Sequence, residues 1–297
     1  MTVRSSNPKI FNVLLVRSKV RVMRDEATAF VPGHITGFFS THPHEDPTKA
    51  GSRGAGLTLT DGVTVTVEPA PESTVVLDGD RLEIDPVTTV LETLDVTARV
   101  EAESALPLGS GFGVSGAMTL GTALAANAVF ERTLSTNELV TIAHGAEVQA
   151  GTGLGDVVAQ AHGGIPIRLE PGGPHENVLD AIPARARVEY VSFGELSTAD
   201  VLSGETDQLT VAGREALSRV VEEPTLPSFI YASRLFARET GLLTDQVREG
   251  IEAVAGVGGQ ASMAMLGETV FAFGTGLSDA GYDPSVCSTH PAGAVLQ

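Results

Sequence analysis

The segment Pro107-Leu108-Gly109-Ser110-Gly111-Phe112-Gly113-Val114-Ser115-Gly116-Ala117 constrains this chain more than any other stretch of it. Its glycines, Gly109, Gly111, Gly113 and Gly116, admit left-handed backbone and let main-chain amides approach a ligand closely. The residues behind it, Val114–Phe130, are Ala/Leu-rich and predict a helix. Free N–H groups gathered at the positive end of a helix favour an anion, phosphate above all. Three readings compete. The P-loop fingerprint fails, because no Lys-Ser/Thr follows the glycines. A dinucleotide fingerprint matches literally at Gly111-Phe112-Gly113-Val114-Ser115-Gly116, but another helix follows it, where that motif needs a second strand with an acidic tip. The third reading is a purely structural glycine turn.

What surrounds the loop favours a phosphate site. Ser135-Thr136-Asn137-Glu138 is a capping box that opens a helix running to about Ala150, and Glu147 lies near its end. A carboxylate there reaches a cation held at the loop, and Ser115 offers a hydroxyl beside it, so Ser115 and Glu147 together suggest Mg2+. Asp156 stands alone in the flexible run Gly151-Thr152-Gly153-Leu154-Gly155-Asp156. Such an acid is ordinarily turn chemistry, but next to a phosphate loop it is a candidate base. Phosphoryl transfer asks for positioning, charge neutralisation and one group aimed at the nucleophile, and these residues are chemically sufficient for it.

The rest of the chain reads as α+β. A strand is expected at Ala27–Val31, broken by Pro32-Gly33 and followed by a loop from His34 to Ser40, with a second flexible loop at Gly51–Gly56. Leu57–Thr60 and Val63–Val67 alternate about Asp61-Gly62 and predict a hairpin; a second is expected at Thr74–Ile84 about Asp78-Gly79. Pro86–Leu94 reads as a short helix, Val96–Glu101 as a strand, and Gly163–Leu169 as a short strand leading into a Pro/Gly-rich run. The Pro/Gly run Glu170–Pro174 marks a domain boundary, giving a nucleotide-binding unit over 23–172 and a second unit over 173–297. That second unit is read as a strand at Val188–Phe193, helices near Thr210–Glu222, Leu226–Glu239 and Asp245–Val254, and a closing β-pair, Gln260–Leu266 with Thr269–Phe273.

Composition narrows the class further. No apolar run approaches the roughly 18 residues of a membrane-spanning helix. Arg4, Lys9, Arg17, Lys19 and Arg21 precede any acid, yet no apolar core follows them, so residues 1–22 read as an extension, with Met23 as the natural start. The formal net charge is −18, and three lysines stand against 16 arginines. An acidic, lysine-poor surface stays hydrated at high salt, which points to the cytoplasm of a halophilic archaeon and away from nucleic acid as a partner. The one cysteine, Cys287, forms no disulfide framework and reads as a small buried hydrophobe.

Three separated segments, spanning nearly the whole chain from Ala29 to Phe273, resemble the GHMP kinase superfamily. Pro107–Ala117 is similar to its P-x-x-x-G-L-G-S-S-A loop, Glu147 through Asp156 to its E…G-x-D stretch, and Gly256-Val257-Gly258-Gly259-Gln260-Ala261 to its C-terminal glycine-rich segment. Phe30-Val31-Pro32-Gly33-His34-Ile35-Thr36-Gly37-Phe38-Phe39 and Gly51-Ser52-Arg53-Gly54-Ala55-Gly56-Leu57 resemble the archaeal branch that phosphorylates pantoate on the way to coenzyme A. The resemblance implies a two-domain fold with ATP and acceptor between the domains, and a homodimer. It implies ATP held by Pro107, Gly109, Gly111, Gly113, Ser115, Gly116 and Glu147, with Mg2+ on Ser115 and Glu147 and Asp156 as catalytic aspartate. Arg168, His144 and Ser40 match substrate-binding positions. His34 belongs to the Pro-Gly-His pattern, and Arg53 is a further anion-binding candidate. Two departures stand out: Val114 replaces the first serine of the loop, and His34 replaces the lysine that many members carry after Pro-Gly. Another small hydroxy acid as acceptor, or a non-catalytic ATP sensor, are the alternatives that the resemblance leaves open.

Overall fold

The computed structural model describes residues 25–195 and 207–297, so the reading of residues 1–22 as an extension lies outside the described residues. The fold is α+β, with two sheets. The first combines β1 (Ala27–His42), β2 (Gly51–Pro69), β3 (Thr74–Leu77), β4 (Asp80–Leu82), β5 (Ala98–Ser104), β6 (Pro166–Glu170), β7 (Val178–Ala181) and β12 (Val295–Leu296). Its order is β12-β1-β2-β5-β3-β4, with β6 on β2 and β7 on β6. The second combines β8 (Arg187–Glu195), β9 (Ala261–Ala264), β10 (Gly267–Phe273) and β11 (Ser285–Ser288), in the order β11-β8-β10-β9. The hairpin about Asp78-Gly79 forms as β3–β4, and the closing pair forms as β9–β10.

The long strands correct three expectations. Asp61-Gly62 is no hairpin turn: β2 continues through it with a register shift against β1, Pro32 lying opposite Gly62 and His34 opposite Thr58, and pairs β5 on its other edge from Val63, opposite Ser104. Residues His34–Ser40 and Gly51–Gly56 are not loops but strand, paired from His34 opposite Thr58 to His42 opposite Gly51. Pro32-Gly33 does not end β1; the register shifts there and again between Thr36 and Phe38, and a proline is tolerated at such a bulge. The core explains the choice. Leu57, Leu59, Val63, Val65 and Val67 are all fully buried and all odd-numbered, so one uninterrupted strand keeps them on one face. A two-residue turn at 61–62 would pair position 59 with 64 and 57 with 66, leaving the leucines on the opposite face from the valines.

Helices α1 (Asp85–Thr93), α2 (Val114–Val129), α3 (Thr136–Ala150) and α4 (Asp156–His162) associate with the first sheet, α2 lying on β1 and β2 and packing against α1, α3 and α4. α2 is buried almost all round, consistent with its uncharged sequence. The expected capping box opens α3: Ser135 Oγ accepts from the Glu138 amide while Glu138 Oε2 accepts from the Ser135 amide at 2.7 Å. Helices α5 (Asp207–Glu222), α6 (Leu226–Glu239) and α7 (Asp245–Gly256) cover the second half. α5 and α6 rest on β1, and α6 also rests on β9, so both sheets share one core. Its seam is aromatic: Phe229 of α6 lies 6.2 Å from Phe38 of β1 and 6.4 Å from Phe271 of β10, centroid to centroid. Among the described residues no helix is long and apolar enough to cross a membrane.

Candidate active site

The glycine loop is held from both halves of the molecule. The His34 amide donates to Phe112 O at 2.9 Å, and Thr269 Oγ1 donates to Ser110 O at 2.8 Å. The Phe112 ring is buried edge-on against Tyr190, 4.8 Å away. Gly113 is the N-cap of α2 with φ of 63°, a left-handed position where a side chain would be strained, and no side chain caps the helix. The first amides of α2 are thus left for a ligand. Pro107 and Gly109 lie on the exposed arm of the loop, Gly111, Gly113 and Ser115 are half-buried, and Gly116 is buried. The turn between β9 and β10 contacts the loop, with Ala264 O and Gly267 facing Gly111. The segment Gly256–Gln260 instead lies at the end of α7, Gly259 facing Gly276.

Two carboxylates face the gap beside Gly153; a Cβ built there would lie 2.9 Å from Glu147 Oε2 and 3.5 Å from Asp156 Oδ2. Glu147 is buried and accepts from Ser115 Oγ, Thr119 Oγ1 and Thr152 Oγ1, each at 2.8 Å. Burial raises its pKa, and the three hydroxyls act in the other direction. Asp156 opens α4 and accepts from His34 Nδ1 at 2.7 Å. Burial pushes the Asp156 carboxyl upward, but the His34 hydrogen bond and the nearby Arg168 charge outweigh it, so it is held below the usual carboxylate range. His34 itself is fully buried, which lowers its pKa against the pull of Asp156.

Arg168, 1 % exposed, is among the largest fully buried side chains, and its Nε and Nη1 have no hydrogen-bond partner. Burial lowers its pKa to about 10, so it remains charged at neutral pH. It lies against the backbone turn leading into Asp156: a Cβ at Gly155 would meet its Nε at 2.6 Å and Ser52 Oγ at 2.7 Å. Ser115, Glu147, Asp156, His34 and Arg168 therefore come together. Ser40, Arg53 and His144 flank them. Ser40 is buried opposite Arg53 in the β1–β2 register and bonds His42 Nε2 at 3.0 Å. Arg53 makes an ion pair with Glu170, and His144 Nε2 bonds Ala50 O at 2.9 Å. Both engage protein groups in addition to any ligand role. Thr119, Thr152, Ser52 and Gln160, which donates to Gly113 O at 2.8 Å, escape the sequence reading. Thr119 carries a signal, four residues after Ser115 and so on the same helix face.

The arrangement suits a magnesium-bound triphosphate. Ser115 and Glu147 are hard oxygen donors beside an uncapped helix N-terminus. Among the described residues no group of three or more His, Cys, Asp or Glu side chains stands ready for a metal ion.

Residues 85–164, from α1 through the glycine loop and its helix to the end of α4, match the family described as GHMP kinases N terminal domain. The chain belongs to the GHMP kinase family. It is 38 % identical to the pantoate kinase of Methanospirillum hungatei over 83 % of this chain and 87 % of that one. It is also 38 % identical to the pantoate kinase of Thermococcus kodakarensis, over 82 % of this chain and 86 % of that one. A solved structure titled as a phosphotransferase related to the CoA biosynthesis pathway superposes with a TM-score of 0.82 at 32 % identity, covering 92 % of this chain and 98 % of that one.

Proposed function

We propose that this protein is a pantoate kinase, transferring the γ-phosphoryl group of ATP to the terminal hydroxyl of pantoate to give 4-phosphopantoate. The observation that carries the acceptor is Arg168: a buried guanidinium with unpartnered Nε–H and Nη1–H, beside Asp156, is a costly arrangement unless a carboxylate completes it. Pantoate supplies that carboxylate and presents its hydroxyl to the neighbouring acid. Ser40 and His144 border the same acceptor side, and Arg53 is next in line as an anion partner.

The loop from Pro107 to Gly116 and the α2 amides cradle the phosphates; Ser115 and Glu147 would hold Mg2+, which would supply charge neutralisation for the triphosphate. Asp156 accepts the hydroxyl proton as the pantoate oxygen bonds to the γ-phosphorus, the bond to the β–γ bridging oxygen breaks, and ADP leaves. Arg168 keeps the acceptor carboxylate fixed throughout. We place the enzyme in the salt-rich cytoplasm of a halophile on its charge of −18, and take it as a homodimer on the family resemblance alone.

A coupled ADP-release assay in multimolar KCl tests the reading, with pantoate, homoserine, shikimate and mevalonate as acceptors. Pantoate should give the highest kcat/KM. A higher value for another acid reassigns the substrate, and ATP binding with background turnover on every acceptor makes the protein a sensor.

A further inference from the structure

We propose that His34 is a positioning residue for the base, donating Nδ1–H to one oxygen of Asp156 and leaving Oδ2, on the Glu147 and Gly153 side, as the oxygen that takes the acceptor proton. The inference rests on the reading of Asp156 as the base. It differs from a substrate-binding role for His34, which the Pro-Gly-His pattern implies.

The placement of His34 carries the argument. It follows the register shift after Pro32, where β1 turns its backbone toward the glycine loop, and its amide donates to Phe112 O at 2.9 Å. Its ring meets Asp156 Oδ1 at 2.7 Å. One residue thus ties the phosphate loop to the base. An ionised carboxylate can only accept, so Nδ1 carries the proton. The far nitrogen, Nε2, is buried without a partner and faces Gly56, where a Cβ would lie 2.2 Å from Nε2, 2.7 Å from Cε1 and 2.4 Å from Ile35 O. Nδ1 is thus committed to Asp156, and Nε2 lies against the β2 backbone.

The groups around the ring agree on a neutral donor. Asp156 faces it from α4, and Arg168 on β6 adds positive charge. Thr36 Oγ1 stands 3.5 Å from Nδ1, and Glu147 on α3 acts on Asp156 across the gap. A second N–H at Nε2 would be charged, buried and unpaired, a poor state next to a guanidinium. The family's usual lysine would bring a fixed ammonium to this point; the histidine brings a directed hydrogen bond with no added charge. Gly56 is the matching adaptation on β2, since any side chain there displaces the ring.

The test is steady-state kinetics on the intact enzyme for His34→Ala, His34→Asn, His34→Gln, Asp156→Asn and the double variant His34→Ala/Asp156→Asn, with melting temperatures alongside. His34→Ala should lower kcat on the order of 10- to 100-fold, the loss of one charge-assisted hydrogen bond, while KM for ATP and pantoate moves less than about threefold. Asn places an amide N–H where Nδ1 stands and should restore most of kcat; Gln places it where Nε2 stands and should not. In the Asp156→Asn background, His34→Ala should cost nothing more. A raised pantoate KM with unchanged kcat overturns the proposal in favour of substrate contact. Full additivity in the double variant, or Asn no better than Ala, overturns it too. If His34→Ala does not fold, Asn against Gln decides: equal kcat for the two sinks the proposal. Wild-type kcat in Asp156→Asn would fell the base reading first and this inference with it.

Discussion

At the residue scale the site separates groups that act on rate from groups that act on binding. Asp156→Asn preserves shape and removes the proton acceptor, so kcat should drop by about 10²–10⁴ with ATP binding nearly unchanged. Equilibrium binding of a non-hydrolysable nucleotide beside turnover separates the two. Arg168→Ala removes a contact present from ground state to transition state, so pantoate KM should rise by the equivalent of about 1.5–3 kcal/mol. An unchanged KM would move the carboxylate to Arg53. Glu147 exposes a tension between stability and function. Burial raises its pKa above its unfolded value, so the native state binds more protons than the unfolded one, and stability declines as pH rises through the raised value. Glu147→Gln keeps an oxygen for Ser115 and Thr119 without the buried charge. Its melting temperature at neutral pH should equal or exceed the parent's, while activity collapses; a markedly lower melting temperature would show that the carboxylate is needed for folding.

At the element scale, three connections hold the catalytic pieces in place, and only one is local. The capping box of α3 is local: Ser135→Ala should cost about 1 kcal/mol, readable by urea denaturation, with kcat kept near its starting value because Glu147 lies about three turns away toward the other end. The β1–β2 pair is the second, and it seats His34 against the loop. The third is the C-terminal strap. Gly164 donates to His290 O at 2.7 Å, His290 to Thr58 O at 2.8 Å, and Ala294 to Gln160 O at 2.9 Å. These bonds clamp the end of α4, the helix that Asp156 begins. Truncation after Ser288 should therefore lower both melting temperature and kcat, where a passive tail would leave kcat alone.

For the whole molecule, pH and salt act through different groups. His34, His42 and His144 all have lowered pKa values, in each case first by burial. Between those values and the ordinary histidine value near ~6.5 the unfolded chain binds more protons, so stability should fall as pH drops below about 6.5. Asp156, held below its ordinary range, adds a loss at much lower pH, when it protonates. Denaturation curves from pH 5 to 8 should show the histidine slope. His144→Gln, which keeps a donor to Ala50 O, should flatten it; an unaltered slope would exclude His144 as a contributor. The charge of −18 predicts a separate effect: melting temperature should climb with KCl as self-repulsion is screened, largely independent of the histidines.

Local chemistry was readable from the chain alone. The glycine loop, the box at Ser135–Glu138, the helix containing Glu147 and the Asp78-Gly79 turn depend on residues within a few positions of one another, so spacing encodes them. The family resemblance reached further and named Ser115, Glu147, Asp156 and Arg168, which the fold then gathered. Two kinds of feature were decided only in three dimensions. Asp61-Gly62 has every local mark of a turn, yet β2 continues through it with a register shift, pairing β1 before and after it and β5 from Val63 onward; the odd-numbered run from Leu57 to Val67 was the available clue. The pairing of His34 with Asp156 joins residues 122 positions apart, and the partnerless nitrogens of Arg168 exist only because sheet and helix enclose them. Such contacts arise from the packing of elements against a shared core, which no short pattern of residues records.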